Sequence, residues 1–521
     1  MSTTGEALRV RRSLTDLQDE YVAGEKKPLE ELMRAWKGIK ESSFFVLGGY
    51  HGEPFRGAGW GDSTFWGGYC HHGNVLFPVW HRIYLYELEN ALRSVPGCAD
   101  VTMPFWDECS EDSLLNGVPW ALTAQTFELD GETIPNPLRS FTLPENIIDH
   151  IESDENIYTK RAGYETVRYP YSGLVGTEAA RHETAEHNKK WTYQEAVAEL
   201  DDNIRKWLNE RIEIKGRVVS TGVHQAFVDC LDAPCYTVFS NVTSAVSSED
   251  NGPPVVALEN PHNKIHLALG GFDVPGKPVR SLIEGANGDM GENDTAALDP
   301  IFYFHHCFID RVFWLWQLRH DATKGLPIIR EYPGTNSSDE QGATPGVPPN
   351  TWLDMDTPLA PFVYEGDGPP RSYVGSDAFD IESQLGYTYG KGSLEDVAAM
   401  PLAAIDASAA AEPRVRVGAI NRAAIRGSFV IAAFATVDGE RVTLGSEAVL
   451  SRWHVQGCAN CQTHLRAGAN FRLHGLEPEA LEQEDVLEVE VRTHDGLLGD
   501  RVQTLGAVSG QEGRPLRIEI R

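Results

Sequence analysis

Histidines are the residues of this 521-residue chain whose positions most clearly indicate chemistry. Several of them stand in two stretches that are otherwise apolar and aromatic. In chain order these histidines are His72, His81, His262, His266, His305 and His306. Imidazole is the usual protein ligand of borderline metals, and a set without thiolates or carboxylates favours copper or zinc. The two stretches therefore predict two metal ions held in one buried site.

The second stretch has helical spacing. His262 and His266 are four residues apart, so on a helix they share one face and can bind the same metal. Pro261, directly before them, fits a helix start. We therefore predict a helix that carries two ligands of one ion.

A further helix is predicted after Asp299, which suits an N-cap, and Pro300, which suits the first helical position. The residues that follow are apolar almost all round, which predicts a buried helix. Within it, His305 and His306 are adjacent and point about 100° apart, so at most one of them faces the metal of the preceding pair. The periodicity does not choose between them.

In the first stretch, the spacing of His72 and His81 requires a change of local structure between them. His72 and His81 are nine residues apart, which would place them on opposite sides of one continuous helix. They converge only if residues 73–77 are irregular and a helix begins near Pro78. We therefore predict that His72 lies in a loop and His81 on a helix. His51, which follows an amphipathic run and precedes helix breakers, is the candidate for a third ligand.

Other interpretations of the histidines are weaker. A single buried histidine is more often a hydrogen-bonded core residue than a ligand, but two apolar clusters favour a metal site for the set as a whole. A zinc-protease motif is not supported, because His182 and His187 are five residues apart and do not share a helix face. A di-iron carboxylate bundle would need Glu-x-x-His pairs that face inward, and the histidine-bearing segments lack them.

Composition narrows the class of protein. Lys plus Arg number 45 and Asp plus Glu number 76, which gives a formal net charge of −31. This charge argues against binding to nucleic acid or to anionic membranes. Residues 1–12 contain no apolar signal region and no stretch is long enough to span a bilayer, so we expect a cytoplasmic chain. Eight cysteines are too few for a disulfide scaffold, and we expect Cys230 and Cys235 to be free thiols.

Length and a change of pattern predict two domains. Residues 1–397 form a mainly helical domain, and residues 398–416, rich in Ala and Pro, form a linker. Residues 417–521 contain short alternating segments that predict a small β-sandwich. These segments are 428–437, 442–444, 486–491 and 516–520. The same domain contains Cys458 and Cys461, a CxxC that fits a redox pair, half a zinc site or a copper-transfer site.

Together these motifs resemble the coupled binuclear (type 3) copper proteins, which include tyrosinases, catechol oxidases and molluscan-type haemocyanins. The resemblance covers about residues 8–390 and is strongest in 45–110 and 255–320. Its motifs are the string from His72 to Glu89, Pro104-Phe105-Trp106-Asp107, His262 to His266 with Gly270-Gly271, Gly288-Asp289-Met290-Gly291, Asp299-Pro300 to Asp310-Arg311, and Tyr387-Thr388-Tyr389. The chain is most similar to fungal-type tyrosinases, which share the Cys-x-His form of the first site and a C-terminal lid domain.

The resemblance implies a mainly α catalytic domain, built on a four-helix bundle, and two copper ions that bind O2 between them as peroxide. Carried over by position, the ligands of the first copper are His51, His72 and His81, and those of the second copper are His262, His266 and His306. His306 is preferred to His305 because the family uses the second of the paired histidines. Cys70 stands where fungal-type members form a thioether with the imidazole of His72, and a free buried thiol is the alternative.

Proton handling is also implied by the resemblance. In tyrosinases, an Asn and a Glu near the second copper hold a water that accepts the proton of the phenol, whose free pKa is near 10. Asn263 and Glu259 have these types, although the spacing of Glu259 differs by one from the plant pattern. The alternative is that both only hydrogen-bond around the copper-binding imidazoles. Where plant enzymes carry a bulky Phe, this chain has Glu292 and Asn293, which predicts a more open and more polar entrance.

Control by the lid domain is a further implication. Fungal-type pro-tyrosinases carry a similar CxxC with a proposed role in copper loading, and soft thiolates prefer Cu(I). Cys458 and Cys461 are therefore copper-loading candidates, with a purely structural pair as the alternative. A lid side chain is expected to plug the substrate pocket, and we assign the plug to residues 449–453. The intact chain would then be latent until the lid moves.

The leading hypothesis is a tyrosinase that hydroxylates monophenols and oxidises o-diphenols to o-quinones, with O2 and a phenolic small molecule as partners. A catechol oxidase or o-aminophenol oxidase is the alternative within the class. A haemocyanin-like oxygen carrier is the alternative from another class, disfavoured by the absence of repeated units and by the predicted lid. A copper donor at the CxxC and a homo-oligomer stay open, whereas nucleic acid and membrane partners are not expected.

Overall fold

The described part of the chain is mainly helical up to about residue 400 and mainly β-strand beyond it. The computed structural model describes residues 8–52, 68–148, 159–173, 178–248, 255–276, 288–330, 332–339, 342–343, 347, 351–366, 368–402, 413–452, 466–481, 486–494, 496–497, 502–503, 506–509 and 515–520.

Helices dominate the first of these two regions. The α-helices are α1 (Leu14–Ala23), α2 (Lys27–Lys40), α3 (Phe44–Gly49), α4 (Phe77–Ser94), α5 (Glu111–Asn116), α6 (Trp120–Thr123), α7 (Glu178–Asn188), α8 (Tyr193–Leu208), α9 (Val223–Cys230), α10 (Tyr236–Ser240), α11 (Val242–Ser248), α12 (Glu259–Gly270), α13 (Ile301–Arg319), α14 (Ile381–Gln384), α15 (Glu395–Ala399) and α16 (Pro478–Leu481). Short 3-10 helices cover Asp289–Gly291, Ala296–Leu298, Gly375–Ala378 and Arg422–Ala424.

Strands form short pairs among the helices and two larger sheets after residue 413. They are β1 (Arg9–Arg11), β2 (Thr126–Leu129), β3 (Glu132–Pro135), β4 (Ile147–Ile148), β5 (Thr159–Lys160), β6 (Arg211–Ile214), β7 (Arg217–Ser220), β8 (Ser338–Asp339), β9 (Gly342–Ala343), β10 (Pro358–Tyr364), β11 (Arg371–Val374), β12 (Tyr387–Tyr389), β13 (Arg414–Asn421), β14 (Phe429–Val437), β15 (Glu440–Val449), β16 (Arg466–Arg472), β17 (Leu487–Thr493), β18 (Gly496–Leu497), β19 (Val502–Gln503), β20 (Gly506–Ser509) and β21 (Pro515–Ile520).

Helix α13 lies at the centre of the helical region. Residues 301–317 are all buried, as the apolar run predicts. The helix begins at Ile301, whose N–H donates to the Asp299 carboxylate at 3.1 Å, so the predicted start is confirmed to within a residue. Helix α4 packs against α13 and α2. It begins at Phe77 with Pro78 in its first turn, which confirms the predicted irregular stretch before it.

One buried carboxylate joins α4, α13 and the parallel strand pair β1–β12. The Asp310 carboxylate of α13 accepts hydrogen bonds from Arg82 Nε at 2.5 Å and from the hydroxyls of Tyr387 and Tyr389 at 2.7 and 2.6 Å. Arg11 lies 3.5 Å from the same carboxylate. Burial alone would raise the pKa of Asp310, but the two arginines and the hydroxyls hold it below its ordinary value. The ionised carboxylate of Asp310 therefore links elements that are far apart in the sequence.

The C-terminal region is a β-sandwich of two antiparallel sheets, in strand orders β16-β13-β21-β20 and β15-β14-β17-β18, with β19 on β17. One buried cluster takes apolar side chains from both sheets. Its members include Val415, Val417, Phe429, Ile431, Ala433, Leu444, Phe471, Val489, Val491 and Ile518. The predicted fold class, a mainly α domain with a small β domain, is confirmed; the four-helix bundle within it stays a prediction.

Several boundaries differ from the predicted ones. Strand β13 begins at Arg414, inside the range predicted as a linker, because its alternating valines pair with β16 and β21. Strand β15 extends over Glu440–Val449, well beyond the predicted 442–444, because it pairs with β14 along its whole length. The domain limits at 397 and 417 stay predictions.

The β-sandwich rests on the helical region. Strand β15 packs on α12, where Asn260 Nδ2 donates to the Glu447 carboxylate at 2.8 Å. Cys230 and Cys235 are both free, as expected. Among the described residues, none of the helices combines the length and the apolar character that crossing a bilayer would need.

Candidate metal centre

The first histidine cluster is built from two loops and a helix. His51 follows α3 by two residues, His72 lies in the loop before α4, and His81 lies on the second turn of α4. Their ring centroids are 5.2–5.5 Å apart, and one nitrogen of each ring lies within 4.8 Å of the others. The structure thus brings together the three residues that the sequence assigns to the first metal.

The loop that carries His72 is tied to α12. The N–H of Gly73, which has a positive φ of 64°, donates to the Glu259 carboxylate at 2.9 Å. The other carboxylate oxygen of Glu259 accepts the N–H of Val242, also at 2.9 Å. Asn74 Oδ1 accepts the N–H of Leu76 at 2.9 Å and closes the turn into α4. The position of His72 therefore depends on a residue 187 positions later in the chain.

The second cluster lies on two helices. His262 and His266 are on α12, and His306 is on α13. The Nε2 atom of His306 lies 3.2 Å from the Nε2 atoms of both His262 and His266. All three side chains are at most 1% exposed. The predicted sharing of one face by His262 and His266 is thus present in the fold.

Hydrogen bonds fix which ring nitrogen carries the proton. The Nδ1 atom of His81 donates to Phe77 O at 2.8 Å, and that of His266 donates to Met290 O at 2.8 Å. The Nδ1 atom of His262 donates to Asn263 Oδ1 at 2.9 Å. A carbonyl oxygen only accepts, so in each ring Nδ1 holds the hydrogen and Nε2 presents a lone pair. This is the tautomer in which Nε2 can bind a metal.

The donor set fits borderline metal ions. Burial lowers the pKa of His81 to about 3 and that of His266 to about 4, and it lowers the pKa of His306 well below its ordinary value, so these rings are neutral. In the second cluster, the Nε2 atoms of His262 and His266 both present lone pairs toward the Nε2 atom of His306, the arrangement that a cation between the rings would use. Neutral imidazoles without thiolate or carboxylate suit copper or zinc.

The two clusters face each other across one buried space. The His81 ring stacks on the His306 ring, with 4.6 Å between centroids and 20° between planes. The rings of His72 and His262 are 5.7 Å apart. Two ions, one in each cluster, would therefore be close neighbours, as in two-metal sites generally.

His305 has a different position from His306, although both belong to the group that can hold a metal. Its Nδ1 contacts the buried Glu108 carboxyl at 2.6 Å. Burial raises the pKa of Glu108 well above its ordinary value, and it lowers the pKa of His305. The rings of His51 and His81 contact His306 and not His305 among the described ring pairs. Glu108 was missed in the sequence, although it directly follows the Trp106-Asp107 motif.

The predicted proton-handling residues lie beside the second cluster. Asn263 holds His262, and burial raises the pKa of Glu259 to about 7 against the opposing effect of the N–H groups of Val242 and Gly73. Both side chains are buried. The structure therefore places Glu259 between the loop of the first cluster and the helix of the second.

The β-sandwich reaches the first cluster through Arg452. This fully buried side chain pairs with Asp294 at 2.9 Å and donates to the carbonyl oxygen of His51 at 3.0 Å and to Cys70 Sγ at 3.4 Å. The carbonyl of Ser451 accepts the N–H of Asn293 at 3.1 Å. Both Arg452 and Ser451 belong to the segment 449–453 that the sequence assigns to the plug.

The prediction of a more open entrance at Glu292 and Asn293 is wrong. Glu292 and Asn293 are polar, as predicted, but they are buried and do not line an open entrance. The Asn293 amide donates to Cys70 Sγ at 3.6 Å, beneath Ser451 of the β-sandwich. The thioether between Cys70 and His72 stays a prediction. Cys458, Cys461 and Trp453 lie outside the described residues.

The fold and the paired histidine clusters define a binuclear metal protein whose ions are bound by imidazoles from helices and adjoining loops. Residues 41–319 match the family model described as the common central domain of tyrosinase. The chain belongs to the tyrosinase family, whose members bind two copper ions, and it is a type 3 copper oxidoreductase. The predicted family and enzyme class are confirmed.

Individual relatives agree with this membership. The chain is 49% identical over 518 residues to tyrosinase HcTyr2 of Hahella sp. (strain CCB-MM4), in an alignment that covers 94% of this chain and 92% of the relative. A tyrosinase from Burkholderia thailandensis, solved at low pH, superposes with a TM-score of 0.79 at 47% identity, covering 93% of this chain and 94% of that one. The apo-pro-tyrosinase of Aspergillus oryzae, at 18% identity and a TM-score of 0.59, covers 99% of this chain and 98% of its own and shares the fold.

Proposed function

We propose that this chain hydroxylates monophenols such as tyrosine to o-diphenols and oxidises o-diphenols to o-quinones, using O2. The observation that carries the proposal is the meeting of two three-histidine clusters in one buried space, with His81 stacked on His306. The names of the relatives, which are tyrosinases, support a phenolic substrate.

Each cluster would hold one copper ion. We assign His51, His72 and His81 to the first ion and His262, His266 and His306 to the second. When bound, the copper pair would supply the electrons that reduce O2, and O2 itself would be the source of the oxygen that enters the phenol ring. The chain contributes buried imidazoles, and the backbone carbonyls and Asn263 fix the tautomers of His81, His262 and His266.

The chain also has to accept a proton, because a free phenol has a pKa near 10 and must arrive as phenolate. Glu259 and Asn263 are suited to hold a water for this step. Each oxygen of Glu259 accepts one N–H and keeps a further lone pair, and a pKa of about 7 suits a proton acceptor near neutral pH. Asn263 uses its oxygen on His262, which leaves its amide nitrogen as a donor to the same water.

Latency is part of the proposal. The β-sandwich places Arg452 against the backbone of His51 and beside Cys70, both at the first cluster. The Arg452–Asp294 pair is fully buried where the β-sandwich contacts the first cluster, so we infer that the β-sandwich restricts access to the imidazoles from this side. We therefore propose that the intact chain has low activity until the β-sandwich is displaced or removed.

Oxygen uptake by copper-loaded protein tests the proposal. Uptake is measured with tyrosine and with a catechol, for the intact chain and for the chain after limited proteolysis in the region of residues 403–412. We expect turnover of both substrates, which increases after cleavage. Turnover of the catechol alone would identify a catechol oxidase, and turnover of o-aminophenols alone would identify an o-aminophenol oxidase. Reversible oxygenation without turnover of either substrate, before and after cleavage, would identify an oxygen carrier.

A further inference from the structure

A cavity of about 570 Å³ lies between the helical region and the β-sandwich, apart from the histidine clusters. One wall comes from the hairpin β6–β7 and from α9, α11 and α12, and the other from β15 and β16. None of the six metal-site histidines lines this cavity, although α12 contributes to both places. A cavity of this size accommodates a small organic molecule.

Charges of both signs line this cavity. Lys264 of α12, Arg217 and Arg472 supply positive charge, and Asp229 and Glu447 supply negative charge. Burial raises the pKa of Asp229, while Arg472 and Lys264 act in the opposite direction, so the opposite charges lie within interaction range. The lining of the cavity therefore suits neither a purely anionic ligand nor a purely cationic one.

Lys264 stands out among these groups. It is only 7% exposed, yet it forms no ion pair or hydrogen bond with any residue in the described part of the chain. Its ammonium is not among the fully buried unpartnered atoms, so it is reached from the cavity, where Asp229 lies within electrostatic range but forms no direct ion pair with it. A ligand carboxylate in the cavity would supply the missing partner.

Two neutral polar groups in the same wall lack partners as well. Ser446 is 5% exposed, and its hydroxyl has no hydrogen-bond partner among the described residues. The amide nitrogen of Asn470, on β16 of the other sheet, also has no hydrogen-bond partner within the described ranges. Buried polar groups are nearly always hydrogen-bonded, so these two point to a polar ligand. Apolar lining beside them, including Val256 and Phe471, would receive an apolar portion of that ligand.

We propose that this cavity binds a free α-amino acid with an apolar or aromatic side chain. Its carboxylate would lie by Lys264 and Arg472, and its ammonium group by Asp229 and Glu447. Inorganic phosphate fits less well, because two carboxylates in the wall would repel its double charge. Bound there, the amino acid would touch both α12 and β15 and so hold the β-sandwich onto the helical region.

L-Phenylalanine is a suitable probe, because it has the zwitterionic head group but no phenol hydroxyl to be oxidised. Calorimetric titration of the intact copper-loaded chain should give one saturable site with a Kd of about 1 mM or tighter. Phenethylamine and 3-phenylpropionate, which each lack one charge, should bind about tenfold more weakly or not at all. Absence of saturable phenylalanine binding would overturn the proposal. Tighter binding of inorganic phosphate than of phenylalanine would also overturn it, in favour of an anion site.

Variants distinguish this cavity from the metal centre. Arg472→Gln alters an exposed residue and Asp229→Asn keeps the shape of the side chain, and each should weaken phenylalanine binding about tenfold. Arg211→Gln removes the same charge from the hairpin β6–β7 at a position that does not line the cavity, and it should bind phenylalanine as the parent does. Unchanged affinity in both cavity variants would place phenylalanine elsewhere and refute the assignment. The binding measurement does not require turnover, so it fails or succeeds independently of the proposed phenol oxidation.

Discussion

Two neighbouring histidines of α13, His305 and His306, have different contacts in the fold. His306 directs its Nε2 atom between those of His262 and His266 and stacks on His81, whereas His305 is held from behind by Glu108. Sequence periodicity alone could not separate the two, because adjacent helical residues differ only by rotation about the axis. The family resemblance favoured His306, and the ring contacts to the first cluster agree with that preference.

Replacing each of these histidines should have a different effect on metal content. His306→Ala removes a proposed ligand, so we expect bound copper to fall from about two ions per chain to about one and activity to be lost. His305→Ala should retain both ions. Elemental analysis of purified, fully loaded protein makes the measurement. One ion in the His305 variant and two in the His306 variant would reverse the assignment.

Asn263 should matter more for one reaction than for the other. Asn263→Gly removes the proposed donor to the proton-accepting water, so hydroxylation of tyrosine should slow by about tenfold or more while oxidation of a catechol changes much less. Initial rates with both substrates, normalised to copper content, provide the test. An equal loss in both reactions would mean that Asn263 only orients His262.

Among the elements, α4 and α13 depend on a charge network as much as on apolar packing. Asp310 pairs with Arg82 and accepts two tyrosine hydroxyls from β12. It lies 3.5 Å from Arg11, which donates to Glu89 at 2.8 Å. Both arginines are fully buried. Breaking such a network leaves unpaired charge in the core, which costs more than the loss of a surface ion pair.

The network leads to a stability prediction. Asp310→Ala should lower the free energy of unfolding by about 3–5 kcal/mol. Glu41→Ala is the control, because it removes a carboxylate from the exposed Lys37–Glu41 pair at the end of α2 and should cost less than about 1 kcal/mol. Denaturant unfolding of the metal-free proteins compares the two. Equal losses would show that Asp310 adds nothing beyond an ordinary ion pair.

Elements with strong local patterns were predictable, and elements defined by distant partners were not. Helix α13 and strand β14 follow from apolar runs, and the break before Pro78 follows from the spacing of His72 and His81. Strand β13 was hidden by the neighbouring Ala- and Pro-rich stretch, and only its pairing with β16 and β21 defines it. Pairing partners that are about 50 to 100 residues away leave no local signal.

For the whole molecule, the contact between the β-sandwich and the metal centre was the least predictable feature. The segment 449–453 was assigned from a resemblance, but no property of the sequence indicated that Arg452 reaches His51, which is 401 positions away. In the same way, the pairing of Glu108 with His305 joins residues 197 positions apart. Buried charged partners of this kind have no periodicity and become visible only in the fold.

Arg452 should therefore hold the β-sandwich in place. Arg452→Ala removes the fully buried ion pair with Asp294, so the closed arrangement should be destabilised by about 3 kcal/mol or more. We expect catechol oxidation by the intact variant to rise toward the rate of the proteolysed parent, with unchanged copper content. Arg441→Ala, which removes ion pairs with Glu488 and Glu490 that lie away from the metal centre, is the control and should stay latent. An intact Arg452 variant as inactive as the parent would show that other contacts close the site.

The two clusters are unequally prepared for metal. His262, His266 and His306 stand on two packed helices, whereas His51 and His72 lie outside helices. An ion entering an empty chain would consequently settle first among the helical ligands, since less order has to be created there. Under copper scarcity, a population of half-filled molecules would accumulate. Such molecules would be inactive because they lack the second ion. An activity assay alone would therefore not distinguish a shortage of copper from inhibition by the β-sandwich.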